Sequence, residues 1–175
     1  MYSRGMKTVL LLRHAKAEPL GSLPSDFERP LAPRGHEDAK RVGKALAAMK
    51  LVPDAIVTSP AVRAKETAED AAAAMGFSGA IKEDRTLYDA DGPKWLAVLG
   101  RFPAKADVGL LVAHNPGIEE LAAALVGAPE GFLSCPTAGL IGLESMAPTW
   151  RALAEHGAVL RLFFRPKLLE ALQSR

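Results

Sequence analysis

Two histidines and two arginines stand just beyond short apolar runs. Arg13-His14 follows Val9 to Leu12, Ser59-Pro60 with Arg63 follows Ala55 to Thr58, and His114-Asn115 follows Val108 to Ala113. Arginine offers a rigid fork of N–H donors that matches a tetrahedral oxyanion, and neutral imidazole is a competent nucleophile near pH 7. Gathered in one place, the four side chains would cage a phosphoryl group. Its transfer asks a protein mainly for positioning and for stabilisation of charge spread over equatorial oxygens. Nearby guanidinium charges would lower an imidazole pKa and keep the ring neutral until phosphate arrives. A covalent phosphohistidine, later opened by water, is the chemistry this set implies, and spacing alone does not choose between His14 and His114 as the nucleophile. Singly, each residue has an ordinary role. Arg13 and His14 can end a strand at the surface, His114 can cap a helix through its backbone, and Arg63 can be a surface cation in a first helical turn, where the dipole disfavours it. Recurrence at three strand ends points to a site.

Those ends must come from parallel strands, and the rest of the chain supplies the pattern. Apolar runs at Thr8–Leu12, Ala55–Thr58, Ala80–Lys82 and Val108–Ala113 alternate with helical stretches, the rhythm of β-α units. Leu110-Leu111-Val112 has no polar alternation, as expected of a central strand covered on both faces. Two later runs, Ala138–Leu143 and Ala158–Phe164, are expected to pair antiparallel at one edge. Helices are expected over Arg34–Met49, with Ala39, Val42, Leu46 and Met49 on one face, over Val62–Met75 and over Pro116–Val126. Shorter ones are expected near Pro93–Leu99 and Pro166–Leu172. Ser59-Pro60 and Asn115-Pro116 read as capped helix starts. The predicted fold is a three-layer α/β/α sandwich with a mostly parallel central sheet and an antiparallel edge. In such a sheet, ligands sit outside the carboxyl ends of the strands, where the four residues would converge.

At 175 residues, about half of them apolar, the chain is expected to form a single domain over residues 1–175. Its net charge of +2 comes from scattered lysines and arginines, which argues against nucleic acid while suiting an anionic substrate. The apolar cluster Val9–Leu12 is too short for a signal peptide or a membrane span, so a cytoplasmic location is the default and no membrane partner is expected. Whether Met1 or Met6 begins the natural chain is left open, as is the oligomeric state. Cys135 is the lone cysteine and reads as a core residue; no His-Glu-x-x-His or close histidine pair offers a metal site. Asp89-Ala90-Asp91-Gly92 superficially suggests a metal-dependent aspartate nucleophile, but Arg85-Thr86-Leu87-Tyr88 is a poor strand to precede one.

The same residues resemble a known family. Leu11-Leu12-Arg13-His14-Ala15 is similar to the strand-ending Arg-His-Gly signature of the histidine phosphatase superfamily, the phosphoglycerate-mutase-like proteins, with Ala15 in place of the usual glycine. The likeness continues in family order through Arg29-Pro30-Leu31, Arg34-Gly35, Thr58-Ser59-Pro60, Arg63-Ala64, Glu66-Thr67-Ala68 and Val112-Ala113-His114-Asn115-Pro116. Among the branches, the small SixA-type phosphohistidine phosphatases look most similar. The resemblance implies that His14 is the phosphorylated nucleophile, that Arg13 and Arg63 bind the phosphate, and that His114 hydrogen-bonds it; Asn115, next to His114, is a further phosphate-binding candidate through its backbone. Many relatives carry an asparagine six residues past the nucleophile, where this chain has Leu20. His36 and His156 match no signature position.

Relatives that cleave esters use a carboxylic acid to protonate the leaving group, and Asp89 is the candidate here, ahead of Glu18 and Glu83. A phosphoramidate loses imidazole more readily than an ester loses an alkoxide, so a site with a weak acid favours phosphohistidine. The stretch Asp84–Asp107 is short beside the covering insertions of larger mutases and sugar phosphatases, which implies an open pocket able to admit a phosphohistidine-bearing protein. The expected activity is metal-independent phosphohistidine hydrolysis with no cofactor. A small-molecule phosphomonoesterase or phosphoglycerate-mutase-like enzyme is the alternative, and a non-catalytic phosphoprotein-binding module the lesser one.

Overall fold

The computed structural model describes residues 6–21, 23–89 and 91–173. A sheet of six strands runs through it in the order β3-β2-β4-β1-β5-β6: β1 (Lys7–Arg13), β2 (Ala55–Thr58), β3 (Ile81–Glu83), β4 (Val108–Ala113), β5 (Leu140–Ser145) and β6 (Val159–Phe164). The pairs β1/β4, β2/β4 and β2/β3 are parallel, whereas β5 runs antiparallel to β1 and β6 antiparallel to β5. The carboxyl ends of β1, β2 and β4 therefore share one edge, as the sequence pattern predicts.

The side-chain alternation of the strands divides two cores. Val9 and Leu11 of β1, Val57 of β2 and Leu111 of β4 face one side, packed against α3 (Thr86–Asp89), α4 (Leu96–Leu99), α5 (Gly117–Val126) and α6 (Leu153–His156). Leu10, Leu12, Ile56, Leu110 and Val112 face the other, against α1 (Pro33–Ala48), α2 (Val62–Met75) and α7 (Pro166–Gln173). Full burial of each such leucine contributes about 1.5–3 kcal/mol, so the middle of the sheet is a stiff base for residues at its edge.

Several local expectations change. Neither Ser59 nor Asn115 caps a helix: the cap positions are Ala61 and Pro116, with no side-chain cap bond at either. The Pro93–Leu99 segment divides into a 3-10 turn, Gly92–Trp95, and the single turn α4. The run expected from Ala138 enters β5 only at Leu140, because Ala138 has a left-handed φ of 54° and its N–H bonds the carbonyls of Arg13 and His14. Turns too short to show periodicity lie at Asp26–Glu28, α3, Trp150–Ala152 and α6.

Gly35 explains why the segment after His14 lies flat on α1. A Cβ there would sit 2.1 Å from the carbonyl oxygen of Lys16, and the same carbonyl accepts the N–H of Ala32 at 2.8 Å. Gly35→Ala must push this backbone away, so it is expected to cost about 1–3 kcal/mol in stability and to lower activity, read by denaturant melts alongside kinetics.

Candidate active site

β1 ends at Arg13 and delivers His14 to the shared edge. His14 Nδ1 lies 2.8 Å from the carbonyl oxygen of Ala15, a contact that requires the proton on Nδ1 and leaves Nε2 unprotonated, its lone pair accepting a long hydrogen bond from Arg63. Arg63, in the first turn of α2, places its Nε 3.4 Å from that Nε2. The next turn of α2 fixes the arrangement, since Thr67 Oγ1 accepts the N–H of Ala15 at 3.0 Å and donates to the carbonyl of Arg63 at 2.6 Å. Glu66 beside it takes the N–H of Leu31 at 2.6 Å. The Glu66-Thr67 pair thus clips both ends of the 15–31 segment to α2.

His114, after β4, completes the group, its ring 5.1 Å from that of His14. Ser59, read from the sequence as a cap, places its Oγ 2.8 Å from His114 Nε2, and the buried Nδ1 of His114 has no partner. Arg13 donates from Nη1 to the carbonyl of Cys135 at 2.8 Å, and its buried Nε is likewise unpartnered. Cys135 therefore serves the site through its backbone, while burial pushes its thiol up to about 12 and leaves the sulfur protonated. The Asn115 side chain donates to Glu119 Oε1 at 2.5 Å and to the same Cys135 carbonyl at 3.0 Å. Glu119 Oε1 also takes the Cys135 N–H at 2.7 Å, so one carboxylate secures the loop that grips Arg13.

All four sequence-selected cationic and imidazole residues thus meet at one place. The other candidates do not join them as closely. Asp89 lines a cavity of about 430 Å³ together with Arg63, His114, Tyr88, Asp91 and Glu120, but its carboxylate is paired to Arg85 Nε at 2.8 Å. Asp89 ends the single turn α3 rather than a strand, so it lacks the strand-end position an aspartate nucleophile needs. Glu83 pairs with Lys65 at 2.9 Å beside a separate cleft, and the backbone of Glu18 holds Arg29 and Pro30. Leu20 is 46% exposed and brings no polar atom. His36 pairs with Asp70 and His156 with the carbonyl of Ala152. The carboxylate that meets Arg63 is Asp26, which no sequence motif marked.

Burial dominates the histidine electrostatics. It lowers His14 to about 4, assisted by Arg63, Arg13 and Arg29 and opposed by the bond to Ala15; it lowers His114 to about 3, assisted by His14 and Arg63. Both rings are neutral at pH 7. The unfolded chain takes these protons near pH 6.5 and the folded one does not, so their stabilisation is complete above pH 6.5 and is lost as pH falls toward 4. Denaturant midpoints are expected to drop between about pH 7 and about pH 5, and a flat profile would contradict the neutral pair.

The chain belongs to the histidine phosphatase superfamily (branch 1), whose family model matches residues 9–98, and within it to the SixA-type branch. It is thus a phosphatase, a hydrolase acting on phosphoryl groups. An uncharacterized protein of Picosynechococcus is 34% identical over 160 residues, covering 90% of this chain and 95% of that one. The structure of a candidate phosphohistidine phosphatase, SixA, from Nakamurella multipartita is 31% identical, with a TM-score of 0.79 over 93% of this chain and 97% of the other. Its candidate counterpart from Agrobacterium tumefaciens is 28% identical, with a TM-score of 0.75 over 91% and 98%. Among the described residues, no helix is long and apolar enough to cross a membrane.

Proposed function

We propose that this phosphatase hydrolyses phosphohistidine on protein substrates, without a metal, through a phosphoryl group carried by His14. The observation that carries the reading is the unprotonated Nε2 of His14, turned to the Arg63 Nε–H while Nδ1 is held by Ala15. Nε2 attacks phosphorus as the bond to the departing imidazole breaks, and that imidazole takes up a proton from solvent. Arg13, Arg63 and His114 bear the oxyanion charge, with the unpartnered His114 Nδ1 and Arg13 Nε available to phosphoryl oxygens. Water then attacks the phosphoenzyme, releasing inorganic phosphate and restoring the imidazole. The open cavity beside His114 and the engagement of Asp89 with Arg85 favour a good leaving group presented on a protein surface over a small ester needing a strong acid.

Phosphate release in EDTA from a phosphohistidine-bearing carrier protein and from an aryl phosphate tests this. Fast release from the carrier, dependent on His14, supports the reading. Turnover confined to the ester assigns the site to small molecules, and phosphoprotein binding with no turnover assigns a binding module.

A further inference from the structure

Asp26 opens a 3-10 turn between His14 and α1 and takes both terminal nitrogens of Arg63: Nη1 donates to its carbonyl oxygen at 2.5 Å, Nη2 to its Oδ2 at 2.8 Å. Its Oδ1 accepts Arg29 Nη1 at 2.6 Å, and Arg29 Nε is tied to the carbonyl of Glu18 at 2.8 Å, so the carboxylate is itself braced. Arg29, followed by the Arg63 charge, holds the Asp26 carboxyl below its usual range and keeps it ionised. The turn is fastened at a second point, where Phe27 meets Tyr88 edge-on at 5.1 Å and Tyr88 meets His114 at 5.6 Å.

The division of Arg63 gives this a function. Its side chain is 8% exposed, its two terminal nitrogens are anchored to Asp26, and its Nε–H points to the unprotonated Nε2 of His14 at 3.4 Å. A guanidinium has two useful edges, and anchoring the outer one commits the other to whatever sits beside His14. We propose that Asp26 is a positioning residue for phosphoryl transfer, holding the outer end of Arg63 so that its Nε edge is presented to the phosphoryl group on His14. This rests on reading the four-residue cage as the transfer site. The neutral amide oxygen of asparagine can accept the same Nη2–H, whereas alanine keeps only the backbone contact.

The test compares wild type, Asp26→Asn and Asp26→Ala. It reads kcat and KM on a phosphorylated substrate together with the NMR cross-peak of the Arg63 Nε–H, identified by its loss in Arg63→Lys. Asp26→Ala is expected to lower kcat by about 10- to 100-fold, more than it changes KM, and to broaden the Nε–H signal. Asp26→Asn is expected to keep that signal and recover most of the rate. Wild-type kcat with an unchanged signal in Asp26→Ala overturns the proposal, as does an Asp26→Asn variant no better than alanine. Because the Nε–H signal is read without turnover, a wild type inactive on every substrate would remove the functional reading, and the signal would still decide whether Asp26 holds Arg63.

Discussion

Replacing His14 by alanine is expected to cut phosphate release by at least about 10³-fold, because its unprotonated Nε2 is the histidine nitrogen that stands at the Arg63 guanidinium. His114 is the nearest rival, yet its Nε2 is engaged with Ser59. Arg13, Arg63 and His114 would still bind the substrate, so the loss should fall on kcat rather than on KM. The vacated ring space is lined by the same donors, and added imidazole is expected to restore part of the rate. Full activity in a verified His14→Ala protein would exclude His14 as the nucleophile.

Arg63→Ala is the second large effect, expected at about 10²–10³ in kcat, the usual consequence of removing one preorganised donor from a developing oxyanion. It should also change the pH profile in a definite direction. The Arg63 charge lowers the pKa of both His14 and His114, so its removal lets His14 take its proton at higher pH. The nucleophile must be unprotonated, and the acid limb of kcat/KM should therefore move upward. Arg63→Lys should rescue little, since an ammonium cannot anchor to both Asp26 oxygens and still present a second edge to His14. An unmoved acid limb in Arg63→Ala would show that the arginine does not act on His14.

Arg13, His14, Arg63 and His114 were legible because each follows an apolar run, and parallel strands joined by helical crossovers leave such runs at one edge. That physics is nearly local. The partners of these residues were not legible, since they come from segments whose placement depends on the finished fold. Asp26 looks like any polar loop residue until the Ala17–Leu31 bridge and the Glu66 contact fold its segment over α2. Ser59 and Asn115 are good cap types at the right spacing, but Ser59 Oγ lies between His114 and the Ala61 N–H ahead of α2, and the Asn115 amide donates to Glu119 and the Cys135 carbonyl. Asp89 shows the opposite case: the sequence offers it as an acid, and in the fold it ends a single helical turn with its carboxylate on Arg85, a pairing that depends on the α3 turn forming. The signal that would have found Asp26 is a requirement rather than a motif, namely that the charge of a buried arginine such as Arg63 must be balanced by a nearby carboxylate.

The most direct measurement is capture of the phosphoenzyme. The wild-type protein would be mixed with a phosphohistidine-bearing carrier, quenched in alkali, where phosphohistidine survives, and its peptides mapped by mass spectrometry. The account predicts one phosphoryl group on the peptide carrying His14, lost in acid and absent from His14→Ala. A phosphoryl group on His114, or turnover with single-turnover sampling showing no phosphorylated peptide, would contradict it.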